Sequence, residues 1–342
     1  MKTITLGSTG ITVPQNGFGA LPIQRVNDET AVQLLREARA GGMRFFDTAR
    51  AYTDSEKKIG LAFNGQWDGM FVATKTAATT PEGFWSDLET SLRELKSDYV
   101  DIYQFHNLAQ CYRPGDGTGM YECMLEAKAQ GKIRHIGATA HKIGVAEEVI
   151  ASGLYETLQF PFSYLSSERE RALAEKCAAA NMGLIAMKAL AGGLINRSDA
   201  AFAYISQFDN VVPIWGIQRE KELGEWLSFF QTPAAMTDEL RAFIAEERKE
   251  LSGDFCRSCG YCMPCPVGIE IRQCARMSLM LRRAPSAAWL TPEMQAEMKK
   301  IENCLHCGKC KSKCPYSLDT PTLLQKNYED YQQVLAGTIR VD

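Results

Sequence analysis

The chain of 342 residues is long enough for a large folded domain and a second, smaller one, and 45% of its residues are hydrophobic. Its formal net charge of −3 lacks the basic excess of a nucleic-acid-binding protein. No apolar run approaches the length of a membrane span, and the N-terminus lacks the apolar segment of a signal peptide. We therefore expect a soluble, cytoplasmic protein that binds neither nucleic acid nor a membrane.

The first 235 residues alternate short apolar runs with amphipathic stretches. Met1–Val13 predicts a β-hairpin that could plug the bottom of a barrel. The predicted strands that follow are Asn16–Leu21, Arg44–Thr48, Met70–Thr74, Tyr99–His106, Ile133–Thr139, Thr157–Phe160, Gly183–Met187 and Val211–Trp215. The predicted helices between them are Asp28–Ala40, Pro81–Leu95, Met120–Gln130, Val145–Ser152, Ser167–Asn181 and Glu220–Phe230.

Eight strands that alternate with helices predict an α/β fold, the parallel (β/α)8 TIM barrel, over residues 1–235. An open doubly wound sheet is disfavoured because no GxGxxG follows the first strand. Residues 236–255 are predicted to hold a connecting helix, Thr237–Glu250. Residues 256–342 are predicted to form a small, mainly helical domain with helices at Ile269–Arg283 and Pro292–Glu302.

That small domain contains two tight runs of cysteines, each ended by Cys-Pro. In two-cluster bacterial ferredoxins, three cysteines at x2 spacing bind one 4Fe–4S cluster and the fourth binds the other cluster. The same logic assigns Cys256, Cys259, Cys262 and Cys314 to one cluster, and Cys304, Cys307, Cys310 and Cys265 to the second. The first run has two rather than three residues before its last cysteine, which departs from the ferredoxin pattern.

Other interpretations of these cysteines fit the spacing less well. A zinc ribbon needs sets of four thiolates rather than two sets of three plus one, and a disulfide framework requires an oxidising compartment. Cys274, nine residues after Cys265, is interpreted as a spare thiol. The C-terminal region has an excess of Lys and Arg, which either offsets anionic clusters or attracts an acidic electron carrier such as a ferredoxin or flavodoxin.

Polar residues stand at or just after the ends of three successive predicted strands: Asp47, Lys75 and His106, with Tyr52 in the loop after the first. The carboxyl ends of barrel strands carry the chemistry in this fold class. A lone lysine or histidine there is commonly an ordinary rim residue, but three successive strands that deliver Asp, Lys and His predict an active site.

The segment Asp47-Thr-Ala-Arg-Ala-Tyr52-Thr-Asp-Ser-Glu56-Lys-Lys-Ile-Gly60 resembles the DTAxxYGxSExxLG signature of aldo/keto reductases. Leu6-Gly-Ser-Thr-Gly-Ile-Thr-Val resembles the N-terminal hairpin of that family, and Ile136-Gly-Ala-Thr-Ala-His141 resembles one of its strand ends. The C-terminal extension resembles a branch of the family with a ferredoxin-like dicluster module. The resemblance covers essentially the whole chain.

The resemblance implies a catalytic tetrad. Tyr52 would donate a proton to a substrate carbonyl oxygen while a hydride arrives at carbon. A phenol has a pKa of about 10, so an adjacent cation must lower it, and Lys75 would do so while paired with Asp47. His106 would orient the carbonyl oxygen by a hydrogen bond.

The resemblance also implies a nucleotide site. Gln159 would bind the nicotinamide carboxamide, Thr139 takes the place of a serine contact, and Met187 replaces the aromatic residue that stacks on the ring. After the eighth strand, Gln218 and Glu222 stand where the family often has arginines, so specificity for NADPH does not follow. The full set is Ala20, Thr139, Gln159, Met187, Gly216, Gln218, Arg219 and Glu222.

The leading hypothesis is an oxidoreductase that reduces a carbonyl or related small organic substrate, with two 4Fe–4S clusters relaying electrons to or from a redox partner. The electrons would come from NAD(P)H, from the clusters or from a mobile flavin. One alternative is an NAD(P)H-dependent reductase with structural or oxygen-sensing clusters. Another is a nucleotide-sensing subunit of an electron-transfer complex with a vestigial tetrad.

Overall fold

A computed structural model describes residues 1–251, 255–283 and 286–341. The chain divides into two compact units. The first comprises Met1–Ala189 and Arg197–Ile244, and the second comprises Leu190–Asn196 and Ala245–Asp342. The predicted connecting helix appears as Asp238–Glu250, and residues 252–254 of the predicted 236–255 segment lie outside the described residues.

Eight parallel strands form a closed barrel in the first unit, which confirms the predicted fold class. Each strand pairs with the next along the chain, and the eighth closes on the first, with Trp215 opposite Phe18. A two-stranded hairpin, β1 (Thr3–Thr5) and β2 (Thr12–Pro14), precedes them. The barrel strands are β3 (Gly17–Gly19), β4 (Phe45–Asp47), β5 (Phe71–Thr76), β6 (Val100–Phe105), β7 (Ile133–Thr139), β8 (Thr157–Pro161), β9 (Gly183–Met187) and β10 (Val211–Gly216).

The hairpin packs against the end of the barrel at which the strands begin. Its buried side chains Ile4, Leu6, Ile11 and Val13 form one apolar cluster with barrel residues that include Phe45, Ile102 and Val212. Burying these apolar side chains stabilises the lower end of the barrel and leaves polar chemistry to the carboxyl ends of the strands.

Helices connect the barrel strands, and several start at residues whose side chains cap the helix. The side chain of Thr80 accepts a hydrogen bond from the backbone of Gly83, and Ser167 forms a capping box with Glu170. The helices are α1 (Asp28–Ala40), α2 (Ser55–Phe63), α3 (Pro81–Leu95), α4 (Met120–Ala129), α5 (Ile143–Ser152), α6 (Glu168–Ala179), α7 (Ser198–Ile205), α8 (Glu220–Gln231) and α9 (Asp238–Glu250). A 3-10 turn covers Pro22–Arg25.

The second unit is mainly helical, as predicted, and in its described part its helices are short apart from the last. They are α10 (Ile271–Cys274), α11 (Met277–Arg283), α12 (Pro292–Lys299), α13 (Lys309–Ser312) and α14 (Thr320–Leu335), with 3-10 turns at Ser286–Trp289 and Lys300–Asn303. The single helix predicted over Ile269–Arg283 is wrong in detail, because two helices occupy that range. Within the described residues, no helix combines the length and the apolar character that crossing a membrane would need.

Candidate active site and cysteine cavities

Four predicted active-site residues lie at one end of the barrel. Asp47 is the last residue of β4, Lys75 lies in β5, His106 follows β6, and Tyr52 lies in the loop between β4 and α2. These strands are neighbours and parallel, so their carboxyl ends meet at one rim. The fold therefore brings the four side chains to the same edge of the barrel.

Asp47 and Lys75 form a buried ion pair. Lys75 Nζ donates to both carboxylate oxygens of Asp47, at 2.8 and 2.7 Å, and to the carbonyl oxygen of Thr48 at 2.6 Å. Burial lowers the pKa of Lys75, and the carboxylate of Asp47 opposes that shift. Burial likewise raises the pKa of Asp47 against the effect of Lys75. Each group therefore depends on the other for its charge.

The aromatic ring of Tyr52 lies between this pair and His106. Lys75 Nζ is 5.2 Å from the centroid of the Tyr52 ring. The rings of Tyr52 and His106 are 5.7 Å apart and nearly perpendicular, at 83°. A cation beside a phenol stabilises the phenolate that remains after proton donation.

His106 is held in its neutral form. Burial, followed by the positive charges of Lys75 and Lys188, lowers the pKa of His106 to about 3. A neutral imidazole has one N–H donor and one acceptor nitrogen, so it can donate a hydrogen bond to a carbonyl oxygen without adding a proton to it.

Gln159 faces the tetrad from β8. Its Nε2 lies 3.4 Å from Asp47 Oδ2, and its Oε1 accepts a hydrogen bond of 3.0 Å from Gln104 Nε2. Gln104 also approaches Asp47, at 3.4 Å. Sequence reasoning missed Gln104, although its position two residues before His106 on a strand places both on the same face.

The remaining predicted nucleotide residues on the strands lie near this rim. Thr139, at the end of β7, accepts a hydrogen bond of 2.6 Å from the backbone N–H of Asn107, so its hydroxyl holds the loop that follows His106. Met187 ends β9 and is partly buried against the barrel core. The buried Ala20 donates its backbone N–H to the carbonyl oxygen of Asp47, and its own carbonyl oxygen accepts a hydrogen bond from the Ser55 hydroxyl.

Glu222 occupies the N-terminal end of α8. One carboxylate oxygen accepts from the backbone N–H groups of Gln218 and Arg219, at 2.9 and 3.1 Å. The other accepts from Arg219 Nε at 2.9 Å. Gly216 is exposed at the end of β10. Two backbone donors and the Arg219 guanidinium, which could otherwise bind an anion here, are thus engaged by a carboxylate of the chain itself.

The eight clustered cysteines line two cavities in the second unit. One cavity is lined by Cys256, Cys259, Cys262 and Cys314. The other is lined by Cys265, Cys304, Cys307 and Cys310, together with Cys262. The first cavity therefore gathers three cysteines of the first run and one of the second, and the other cavity gathers three cysteines of the second run and two of the first.

The donor chemistry of these cavities suits clusters better than single ions. Cysteine thiols line both cavities, and cysteine thiolates are the ligands that hold iron–sulfur clusters. A four-iron cubane is larger than one ion, so its thiolates stand further apart than those of a tetrahedral zinc site. Cys274 is buried and lines neither cavity.

Residues 15–210 match the model of the Aldo/keto reductase family. The chain belongs to the aldo/keto reductase family. Residues 255–319 match the 4Fe-4S dicluster domain, which is the second module that the cysteine runs predict. Both parts of the predicted resemblance are confirmed.

Known relatives match about half of this aldo/keto reductase. Aldo-keto reductase YhdN of Bacillus subtilis is 29% identical over 192 residues, 51% of this chain and 57% of its own length. The NADH-specific methylglyoxal reductase of Escherichia coli is 26% identical, over 52% of this chain and 64% of its own length. This chain therefore spans less than two thirds of each of these relatives.

A solved structure supports the same fold. The aldo-keto reductase from Klebsiella pneumoniae in complex with NADPH superposes with a TM-score of 0.61 at 22% identity. The superposition covers 72% of this chain and 94% of that protein. At this identity the likeness establishes the barrel fold alone.

Proposed function

We propose that this aldo/keto reductase reduces a carbonyl or related small organic substrate. The grouping of Tyr52, the Asp47–Lys75 pair and His106 at one rim carries the proposal. Relatives with reductase activity on methylglyoxal support a small carbonyl compound as the substrate class.

In the proposed reaction, carbonyl carbon receives a hydride and carbonyl oxygen receives the proton of Tyr52. The C=O double bond becomes a C–O single bond, and the substrate gains two electrons. Lys75 stabilises the phenolate that Tyr52 becomes, and Asp47 keeps Lys75 charged. Neutral His106 orients the oxygen by donating a hydrogen bond. Gln159, Thr139 and Met187 would hold a nicotinamide at this rim, and that group would supply the hydride when bound.

The decisive experiment replaces the hydroxyl of Tyr52. We expect Tyr52→Phe to reduce turnover at least about 100-fold, because general acid catalysis contributes about 10²- to 10⁴-fold. Tyr99→Phe is the matched control, since Tyr99 precedes β6 at the opposite end of the barrel. Turnover that survives in the Tyr52 variant would refute the proton-donor role.

For the nucleotide we propose NADH in preference to NADPH. Glu222 supports this preference, since its carboxylate occupies the α8 N-terminus and engages Arg219. A 2′-phosphate placed there would meet a negative charge, whereas a ribose hydroxyl could donate to it. Titration calorimetry should give a lower Kd for NADH. Equal affinities, or a preference for NADPH, would contradict the role of Glu222.

We also propose that the two cysteine sets hold two 4Fe–4S clusters. The four thiols around each cavity support the assignment. Purified anaerobically, the chain should contain about eight iron atoms. Cys307→Ser should lower the iron content and alter the EPR spectrum, whereas Cys274→Ser should leave both unchanged. Equal effects of the two substitutions would contradict the ligand sets.

These clusters would exchange electrons with an acidic one-electron carrier, such as a ferredoxin or flavodoxin. The exposed rim of the second cavity supports this partner. Cys307 is exposed, Leu305 has 65% of its surface exposed, and both line the cavity together with Lys309. Lys313 lies one helical turn beyond Lys309. An apolar contact beside lysines suits an acidic partner.

Charge reversal tests the docking surface. We expect Lys309→Glu to slow cluster reduction by a reduced acidic flavodoxin at low salt, and to leave reduction by dithionite unchanged. Lys326→Glu, on α14, changes the net charge equally and is the control. If both substitutions slow the reaction alike, net charge rather than docking explains the effect.

The alternative with structural or oxygen-sensing clusters predicts a different response to NADH. In the relay hypothesis, anaerobic NADH bleaches the visible absorbance of the clusters, directly or through added flavin. If NADH and flavin leave the clusters oxidised while carbonyl turnover proceeds, the clusters are not part of the reaction path. A nucleotide-sensing subunit would bind NADH without turnover.

A further inference from the structure

The second unit buries an arginine without an evident partner. Arg276 lies between α10 and α11, and only 5% of its surface is exposed. Its Nη2 contacts the Met280 sulfur at 3.2 Å, but Nε and Nη1 have no hydrogen-bond partner among the described residues. Burying an unpaired guanidinium costs several kcal/mol, roughly, so such groups normally face an anion.

The guanidinium lies beside the chain segment that follows Cys256. A Cβ atom added to Gly192 would meet Arg276 Nη1 at 2.8 Å and the carbonyl oxygen of Arg257 at 3.3 Å. Gly192 has a φ of +69°, so glycine is favoured there for its backbone conformation as well as for space. Its backbone therefore packs close to the guanidinium and excludes water from it.

Arg276 lies beside the first cysteine set, because the same Gly192 Cβ would also meet Ser258 Cβ at 3.3 Å, and Ser258 lies between Cys256 and Cys259. Burial lowers the pKa of Arg276, and Cys256 opposes that shift. Within the described residues, Arg276 forms no ion pair with a carboxylate, unlike Arg272, Arg282 and Arg283.

Two neighbouring arginines differ from Arg276 in having visible partners. Arg272 pairs with Glu270 at 2.7 Å and is partly exposed. The guanidinium of Arg257 lies 4.3 Å from the centroid of the Tyr316 ring. Water and these partners screen both charges, whereas the charge of Arg276 acts in a dry environment where electrostatic interactions are strong.

We infer that Arg276 raises the reduction potential of the cluster held by Cys256, Cys259, Cys262 and Cys314. The inference rests on the proposed function, in which the two cysteine sets hold clusters. Adding one electron makes a cluster more negative by one charge and breaks no bond. A buried positive charge nearby stabilises that reduced form, and charge and hydrogen bonding near the sulfurs set such potentials.

The test is an anaerobic redox titration of the full chain, followed by EPR, with dithionite as the reductant. We expect Arg276→Met to lower one of the two midpoint potentials and leave the other in place. A tenfold loss in the reduction equilibrium, which is about 59 mV for one electron, is the minimum expected shift. Arg276→Lys should keep the midpoint potential close to that of the wild-type chain, because lysine keeps the positive charge.

Arg272→Met is the matched control, and we expect a smaller shift because that charge is paired and partly exposed. Arg276→Gln serves if the methionine variant does not take up iron, since glutamine keeps N–H donors and loses the charge. Unchanged potentials in a fully loaded Arg276 variant, or equal shifts of both clusters, would overturn the inference. If the wild-type chain is found not to bind two clusters, the proposed cofactor is refuted instead.

Discussion

Lys75 connects the structural and chemical roles of the active site. It pairs with buried Asp47 and lies near the Tyr52 ring, so one substitution affects both stability and turnover. Removing one partner of a buried ion pair leaves the other charge unpaired and costs about 3–5 kcal/mol. Removing both partners avoids that penalty.

We therefore expect Lys75→Met to lower the free energy of unfolding by about 3–5 kcal/mol and to abolish turnover. The double variant with Asp47→Asn should regain much of the stability but none of the activity. Urea unfolding and steady-state kinetics measure the two effects. Activity in the double variant would show that the cation is dispensable.

His106 makes stability depend on pH in acid solution. Its pKa is about 3 in the folded chain against 6.5 for an ordinary histidine. Below pH 6.5 the unfolded state binds the proton more readily, so this residue lowers stability as the pH falls from 6.5 towards 3. We expect His106→Asn to lose less stability than wild type between pH 7 and about pH 5 in urea unfolding. Parallel losses would mean that His106 is not held neutral.

At the scale of elements, helices α2 and α3 meet at a glycine. A Cβ atom on Gly60 would lie 2.0 Å from the carbonyl oxygen of Glu94. Because a backbone oxygen cannot move aside as a flexible side chain can, the helices would have to separate. The contact explains why the motif that begins at Asp47 continues into α2 and ends at this glycine.

We expect Gly60→Ala to cost at least about 1–3 kcal/mol of unfolding free energy, as overpacking does. Gly224→Ala is the control, since nothing lies within 4 Å of the Cβ that it would add inside helix α8. That control should stabilise the chain by about 0.5–1 kcal/mol, because alanine is the better helix former. Thermal unfolding measures the stability of both variants. Equal effects of Gly60→Ala and Gly224→Ala would refute the close packing of α2 against α3.

The barrel strands, and the position of Asp47, Lys75 and His106 at their ends, were predictable because both follow from local patterns. Apolar runs of strand length, and polar residues at their ends, are visible in the sequence without any knowledge of distant contacts. Helices α2 and α7 were missed, since they have only 9 and 8 residues and neither begins with a side-chain cap. Helix α14, with 16 residues and proline in its first turn, carried a signal that was overlooked.

Features that depend on distant residues could not be predicted. The orientation of Gln104 towards Gln159 and Asp47 depends on barrel closure, which no single strand encodes. The same holds for Arg276, whose burial depends on the loop at Gly192. Glu222 was partly predictable. The sequence indicates its position in the first turn of a helix, but its pairing with Arg219 is only one of several contacts that this position allows.

At the scale of the whole molecule, the two units depend on different sources of stability. The barrel has a large apolar core, whereas the second unit has short helices around two cysteine cavities. Metal binding supplies much of the folding free energy of such small domains. We expect iron chelation to unfold the second unit and leave the barrel folded.

Limited proteolysis with and without chelator, read by mass spectrometry, checks this expectation. Cleavage should appear between residues 255 and 341 and spare the first unit, residues 1–189 and 197–244. Calorimetry should show the loss of one transition while the other persists. Simultaneous loss of both transitions would mean that the barrel cannot fold without the clusters.

Cys262 lines both cysteine cavities, so the two proposed clusters would lie side by side with little protein between them. Electrons would then pass quickly between the two clusters, and each cluster could hold one electron. Together the clusters would form a reservoir for an electron pair, which is the amount that one carbonyl group consumes. A carrier that delivers single electrons could fill such a reservoir in two visits, and dithionite titration would count two electrons per chain.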